Sequence, residues 1–271
     1  MDWARDLPGW PRHETSRRVI CRPHRWHVQE QGDGPVMLLL HGAGASTHSW
    51  RDLIPRLSDD WRTVAIDLPG QGFTQAGNRS RLGLEGMTED IATLCQSEGW
   101  SPTVIVGHSA GAAIALSLSQ LLTDPEGKPP TIIGLNAALG RFEGIAGWLF
   151  PLLARVLAAN PLTAYVFTLG GDPVARARRL IEGSGSALGQ DGIALYARLI
   201  RDRAHVDGTE HAVLEDGRRV ADTRGVSSTV DIDPYLNKRS FELQGWRFAG
   251  TDRPVIWHIH TCTIPDHCAQ H

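Results

Sequence analysis

The sequence predicts an α/β fold built on a mostly parallel sheet with helices on both faces. Continuous apolar runs alternate along the chain with segments of helical periodicity, the pattern of strands buried on both faces. Loops that follow three of the runs carry the strings HGAG, DLPGQG and GHSAG. Because ligands of such sheets lie at the carboxyl ends of the strands, these three loops are predicted to meet at one edge.

The elements are predicted in a regular order. Residues 18 to 30 are expected to form a short edge hairpin. Buried strands are predicted at PVMLLLHG (35–42), within WRTVAIDLPGQGFT (61–74), at PTVIVGHS (102–109) and at TIIGLNAAL (131–139). Helical spacing of apolar residues predicts helices over 45–59 and 87–100, the latter with Thr88 as its N-cap.

Composition limits the class of protein. The 271 residues suffice for one large α/β domain or two small ones, and a net charge of -3 gives no electrostatic case for nucleic acid. The four cysteines are scattered without a CxxC pair, which fits a reducing compartment. The N-terminal stretch is polar and basic and has no apolar centre, so no secretory signal is expected. Composition therefore favours a protein of a reducing compartment.

The most apolar segment is GIAGWLFPLLARVLAANPLTAYVFTLGG, residues 144–171. Arg155, Pro151 and Pro161 interrupt it, so no uncharged run reaches the length of a membrane span. It is predicted to form two or three short helices. They would either cover a pocket or touch a membrane surface.

The string GHSAG (107–111) matches G-x-S-x-G, a tight turn that exposes a serine between a strand and a helix. Ser109 is therefore the candidate catalytic nucleophile. A serine hydroxyl needs a base, usually histidine, that a carboxylate orients. It also needs donors for the oxyanion, and we assign these to the N–H groups of Ala110 and of Ala43 in the HGAG loop. Gly42 and His108 are the candidate substrate-binding residues.

Other residues near these loops support weaker alternatives. His41 and His108 flank the site, where histidines more often pack or form hydrogen bonds than take part in the chemistry. His48 is expected to be a solvated or capping residue on its helix. The glycines at 42 to 44 could suggest a dinucleotide loop, but the GxGxxG spacing and its acidic residue are not convincingly present. Asp67 ends a strand, and the Pro-Gly turn behind it suits a hydrolase better.

Three motifs together resemble the α/β-hydrolase superfamily: LLLHGAGASTHSWRDL (38–53), DLPGQGFT (67–74) and VGHSAGAAIAL (106–116). Within it, the chain resembles the BchO-type magnesium-chelatase accessory proteins of bacteriochlorophyll biosynthesis. RWHVQ (25–29) and two cap-like stretches at 135–162 and 183–209 strengthen this narrower match. The resemblance covers about the first 209 residues.

The resemblance implies an α/β-hydrolase core over residues 1–140 and a helical cap over 141–209. It also implies a cytoplasmic or membrane-peripheral protein that acts at or near magnesium insertion into protoporphyrin IX. Its partners would be a hydrophobic small molecule (a porphyrin or an ester) and magnesium chelatase, and no cofactor is expected. The alternative function is that of a serine esterase acting on a hydrophobic ester.

The segment 210–271 departs from the family pattern, which would supply an acid after a strand and then a Gly-His turn. Only RPVIWHIHT (253–261) has the character of a buried strand. Distance from Ser109 makes Asp233 the candidate acid and His258 the candidate base, with Asp231 and His260 as alternatives. One hypothesis is that this tail is an out-of-frame or alternative ending. The other two reading frames of the coding DNA would test it.

The same tail is rich in possible metal ligands: His258, His260, Cys262, His267, Cys268 and His271. Histidine and cysteine are suitable zinc ligands, but structural zinc sites show paired spacings that are absent from this segment. No resident metal is therefore predicted.

Overall fold

The computed structural model describes residues 1–137, 171–183, 186–219, 226–228, 241–248 and 256–261, with side chains as far as residue 212. Residues 138–170, which hold nearly all of the apolar segment 144–171, lie outside the described residues. So do Asp231, Asp233 and the four candidate metal ligands after residue 261.

The described strands and helices follow the predicted alternation. The strands are β1 (Ser16–Cys21), β2 (His24–Gln31), β3 (Val36–Leu40), β4 (Arg62–Ile66), β5 (Pro102–His108), β6 (Thr131–Leu135), β7 (Val226–Ser228), β8 (Phe241–Phe248) and β9 (Ile256–Thr261). The helices are α1 (Trp3–Asp6), α2 (Ile54–Leu57), α3 (Leu84–Glu98), α4 (Ala110–Leu118), α5 (Pro173–Gly183), α6 (Gln190–Arg201) and α7 (Arg203–Arg219).

These nine strands form a single sheet in the order β1-β2-β4-β3-β5-β6-β9-β8-β7. The centre, β4-β3-β5-β6-β9, is parallel, and antiparallel strands flank it on both sides. The predicted α/β class and the edge hairpin β1–β2 are thus confirmed. Because β3 and β5 are adjacent, the loops that follow them lie side by side at the carboxyl edge.

The central strands are buried on both faces, which explains why their sequences are continuous apolar runs. In β3, Leu38 and Leu40 pack in the cluster that includes α3 and α4. Met37 and Leu39 pack on the opposite face with Trp50. Each such side chain contributes about 1.5–3 kcal/mol of burial free energy.

Two local predictions are wrong. The helix predicted over 45–59 is instead a 3-10 turn at Thr47–Trp50 followed by the single turn of α2. Pro55 lies at the start of α2 and cannot continue a helix from the preceding turn, because proline lacks the N–H. Thr88 lies within α3, where its hydroxyl donates to the Leu84 carbonyl at 2.7 Å, and Gly83 is the N-cap.

Helix α6 packs against α5 and against α7, and all three helices lie over the carboxyl edge of the sheet. Helix α7 crosses the predicted domain boundary at residue 209 without interruption, so that boundary falls inside a helix. Within the described part of the chain, none of the helices has the length and apolar character needed to cross a membrane.

Candidate active site

Ser109 occupies a strained turn between β5 and α4. Its backbone angles, φ 50° and ψ -116°, lie in a region that residues other than glycine rarely adopt. The Ser109 N–H donates to the Leu135 carbonyl of β6 at 2.9 Å, and the Ser109 carbonyl accepts from the Ala112 N–H at 3.0 Å. Strain of this kind at a serine is a reason to suspect function.

The two glycines of GHSAG are required by close backbone approach. A Cβ atom on Gly107 would lie 2.4 Å from the Gly111 carbonyl oxygen. A Cβ atom on Gly111 would lie 2.3 Å from the Leu40 carbonyl oxygen at the end of β3. The glycines therefore let α4 begin directly against two strands, which sets the position of Ser109.

The HGAG loop lies against this turn. A Cβ atom on Gly42 would lie 3.2 Å from the Ser109 Cβ atom and 2.8 Å from His108 Nδ1. The Gly44 N–H donates to Gln71 Oε1 at 2.8 Å. The Ala43 N–H has no acceptor among the described residues, and the N–H of Ala110 begins α4. Both N–H groups stay our predicted oxyanion donors.

His41 joins two of the loops at this edge. One ring nitrogen, Nδ1, donates to the Gly42 carbonyl at 2.7 Å, and Nε2 accepts from the Leu68 N–H at 2.9 Å. The side chain is completely buried, and this burial lowers the pKa of His41. Both ring nitrogens of His41 are therefore occupied in positioning the loops.

Asp67 is a buried carboxylate at the end of β4. Oδ1 accepts from the Thr47 N–H at 2.7 Å, and Oδ2 accepts from the Phe73 N–H at 2.8 Å and contacts His27 Nδ1 at 2.7 Å. Burial opposes ionisation, but the charge of His27 and these hydrogen bonds hold the pKa of Asp67 well below its usual range. Its oxygens are committed to positioning two loops.

A cavity of about 920 Å³ lies between this edge and the helices α5, α6 and α7. The HGAG loop, His108, Ser109 and Leu135 form its floor. The described cap helices form its roof, through Arg176, Leu180, Tyr196 and His205 among others. Ser109 is therefore the serine at the floor of a mostly apolar site.

His48 is not the solvated or capping residue that we expected. It is completely buried and lines the cavity. Its ring makes edge contacts with Trp10 at 5.4 Å and with Tyr196 at 4.7 Å, while Nδ1 lies 2.8 Å from Ser46 Oγ. Burial lowers the pKa of His48 to about 3. Trp10 and Tyr196 come from distant parts of the chain, so local sequence gave no sign of this burial.

His205 on α7 is a cavity residue that the sequence analysis missed. Its Nδ1 accepts from the Gly72 N–H at 2.9 Å, and its Nε2 donates to the Gly44 carbonyl at 3.2 Å. Burial lowers the pKa of His205 to about 4. A Cβ atom on the neighbouring Gly208 would lie 2.2 Å from the Gly70 carbonyl oxygen, so α7 packs directly on the DLPGQG loop.

The predicted base lies in β9. His258 is opposite Gly134 of β6, and Gly134 is opposite Gly107 of β5. The backbone of His258 is therefore two strands away from the strand that carries Ser109. The alternative base, His260, pairs with Glu242 of β8. The acid Asp233 lies outside the described residues, so the assignment of His258 and Asp233 stays a prediction.

The described side chains include no group of three histidine, cysteine or acidic residues that could hold a metal ion. Nearly all of the histidines at the described site are accounted for by hydrogen bonds to loops or by packing. The chemistry that this part of the chain offers is that of a serine at a strained turn beside backbone N–H donors.

Comparisons with known proteins agree with this architecture. The family model of the alpha/beta hydrolase fold matches residues 35–184. The solved structure "Epoxide hydrolase CorEH without ligand" superposes with a TM-score of 0.62 at 19% identity, covering 76% of this chain and 74% of that one, which supports the fold alone. A 2-(acetamidomethylene)succinate hydrolase of Mesorhizobium japonicum is 35% identical over 126 residues, 46% of this chain and 44% of that protein.

A "Magnesium-chelatase 30 kDa subunit" of Rhodobacter capsulatus is 45% identical over 258 residues, 94% of this chain and 85% of that protein. Such coverage leaves about 6% of this chain outside, so the similarity continues well past residue 209. Our expectation that the resemblance ends there is wrong. The chain belongs to the alpha/beta hydrolase fold family and, within it, to the family of this Rhodobacter capsulatus protein.

Proposed function

We propose that this chain is an accessory protein of bacteriochlorophyll biosynthesis that acts at or near magnesium insertion into protoporphyrin IX. The observation that carries the proposal is the 45% identity over 94% of the chain with a protein named as a magnesium-chelatase subunit. The 920 Å³ cavity supports a ligand-handling role, because it lies at the upper end of the range of about 300–1,000 Å³ for small-molecule sites.

In this proposal the protein binds the porphyrin in the cavity and presents it to magnesium chelatase. Protoporphyrin IX should quench the tryptophan fluorescence of the purified protein in a saturable way. The protein should also raise the rate at which a reconstituted magnesium chelatase forms magnesium protoporphyrin. Absence of saturable binding together with an unchanged chelatase rate would overturn the proposal. Ser109→Ala should retain porphyrin binding, since no covalent step is required.

The second candidate function is that of a serine esterase acting on a hydrophobic ester. The strained Ser109 and the unused Ala43 N–H favour it. In this reaction Ser109 Oγ attacks the ester carbonyl, Ala43 and Ala110 stabilise the oxyanion, and His258, oriented by Asp233, takes the serine proton. A fluorophosphonate probe should then label the wild type and leave Ser109→Ala unlabelled. A folded wild type that resists the probe would exclude this function.

We also propose that the protein is cytoplasmic and that its cap contacts a membrane surface peripherally. Two apolar cap residues at the cavity support the membrane contact, because Leu180 is 58% exposed and Leu188 is 39% exposed. The protein should float with liposomes in a density gradient, and Leu180→Ser should reduce the floating fraction. Failure of the wild type to float would refute the membrane contact.

A further inference from the structure

The roof of the cavity carries positive charge that the mechanism above does not use. Arg176 and Arg179 of α5 both line the cavity, and residues three apart on a helix share one face. Arg51 lines the same cavity from the segment after the HGAG loop. Among the described lining residues, Glu210 is the single acidic one. The cavity therefore has an excess of guanidinium groups.

Among these three arginines, Arg176 is the one with a buried polar atom that lacks a hydrogen-bond acceptor in the described part of the chain. Its Nε atom is buried and has no hydrogen-bond acceptor among the described residues. The ion pairs of the described part include none with Arg176 or Arg179. A buried guanidinium N–H without an acceptor is costly, and carboxylates are the acceptors that match guanidinium geometry best.

Arg51 differs from these two arginines because it is partly engaged. Its Nη1 donates to the His48 carbonyl at 3.1 Å, and its Nη2 lies 3.4 Å from the exposed carboxylate of Asp52. The His48 ring adds a second unused group, since His48 lines the cavity and its Nε2 atom is buried without a partner among the described residues. Arg176 and His48, on separate elements, thus each have a buried polar atom without a described partner, as do two further lining residues, Ser49 and Trp50.

The rest of the described wall is largely apolar. Its apolar members include Leu135, Leu180, Ile181, Leu188 and Ile200. A ligand that satisfies both parts of the wall has an apolar body and an anionic group at its edge.

We propose that the cavity selects amphipathic carboxylic acids. The free carboxylate binds Arg176 and Arg179, and the apolar body lies between the cap helices and Ser109. This inference rests on the proposed function in one respect, which is that both concern the same cavity. A porphyrin with carboxylate side chains and a long-chain fatty acid both have the chemistry required.

The test compares each free acid with its methyl ester, which has a similar apolar body and no charge. Binding of protoporphyrin IX, its dimethyl ester, oleate and methyl oleate is measured for the wild type, Arg176→Gln and Arg178→Gln. Arg178 lies on the same helix, is exposed and does not line the cavity, so it is the matched control. We expect Arg176→Gln to weaken binding of a free acid by about 10- to 100-fold. Its effect on the ester and the effect of Arg178→Gln should each stay under about 2-fold.

The outcomes separate this inference from the proposed function. Equal affinity of the wild type for acid and ester, or an equal loss for both in Arg176→Gln, would overturn the inference while porphyrin binding stands. Preference for oleate over its ester without any porphyrin binding would support the inference and refute the porphyrin role. If Arg176→Gln does not fold, Arg179→Gln is the second variant, because Arg179 is exposed at the same wall.

Discussion

The floor and the roof of the cavity are built by different physical means. The floor depends on the absence of side-chain atoms, since Gly107 and Gly111 allow the backbones of β5, β3 and α4 to meet. The roof depends on side chains that reach across from the cap, among them Arg176 and His205. A floor of this kind can be recognised from a short motif, whereas the roof is defined only by contacts between distant residues.

The largest effect is expected on the floor, from Gly111→Ala. The added methyl group would lie 2.3 Å from the Leu40 carbonyl oxygen and 2.6 Å from the His41 carbonyl oxygen, and neither backbone can move without disturbing β3. We expect a loss of at least about 4 kcal/mol in the free energy of unfolding, in the range of severe overpacking and strain. Urea denaturation followed by circular dichroism measures this loss.

The matched control for this substitution is Gly183→Ala at the end of α5. Among the described residues, a Cβ atom on Gly183 would have no neighbour within 4 Å. Alanine there should leave stability unchanged or raise it by up to about 1 kcal/mol, because it reduces the freedom of the unfolded chain. Equal effects of the two substitutions would show that the floor is not fixed by sterics.

The same contrast explains what the sequence could predict. Strands β3 to β6 were predictable because burial on both faces forces a continuous apolar run, and Ser109 because its turn requires glycine on either side. The helix predicted over 45–59 is wrong because Pro55 divides an otherwise periodic segment. The role of His205 could not be predicted from the sequence, since its partners Gly44 and Gly72 lie more than 130 residues away in the chain.

The second effect is a loss of stability on acidification, shared by floor and roof. His48 and His205 are completely or almost completely buried, and burial lowers their pKa values to about 3 and about 4. In the unfolded chain both titrate near 6.5. Between about pH 6.5 and about pH 4, these histidines are therefore protonated in the unfolded chain and neutral in the folded protein. The stability that these two histidines contribute is fully present above this window and is lost within it.

Each histidine contributes at most about 1.4 kcal/mol of lost stability per pH unit. Between pH 6 and pH 5 we expect a fall of up to about 3 kcal/mol for the two together, with His41 acting in the same direction. Urea denaturation at pH 7, 6 and 5 measures it. His205→Gln should reduce the slope by up to about 1.4 kcal/mol per pH unit, so an unchanged slope in that variant would remove His205 from the explanation.

The smallest effect tests how the roof is held in place. Arg198 of α6 donates to the Gly9 and Asp6 carbonyl oxygens, both at 2.6 Å, and its guanidinium lies over the Trp10 ring at 4.9 Å. Arg198→Ala should cost about 1–2 kcal/mol, because it removes two charged hydrogen bonds and a cation–π contact. Arg201 on the same helix is exposed, so Arg201→Ala should change stability by less than about 0.5 kcal/mol. Thermal denaturation of both variants measures the difference. If Arg198→Ala and Arg201→Ala cost the same stability, the polar contacts of Arg198 do not hold α6 in place. Apolar packing must then account for the position of the roof.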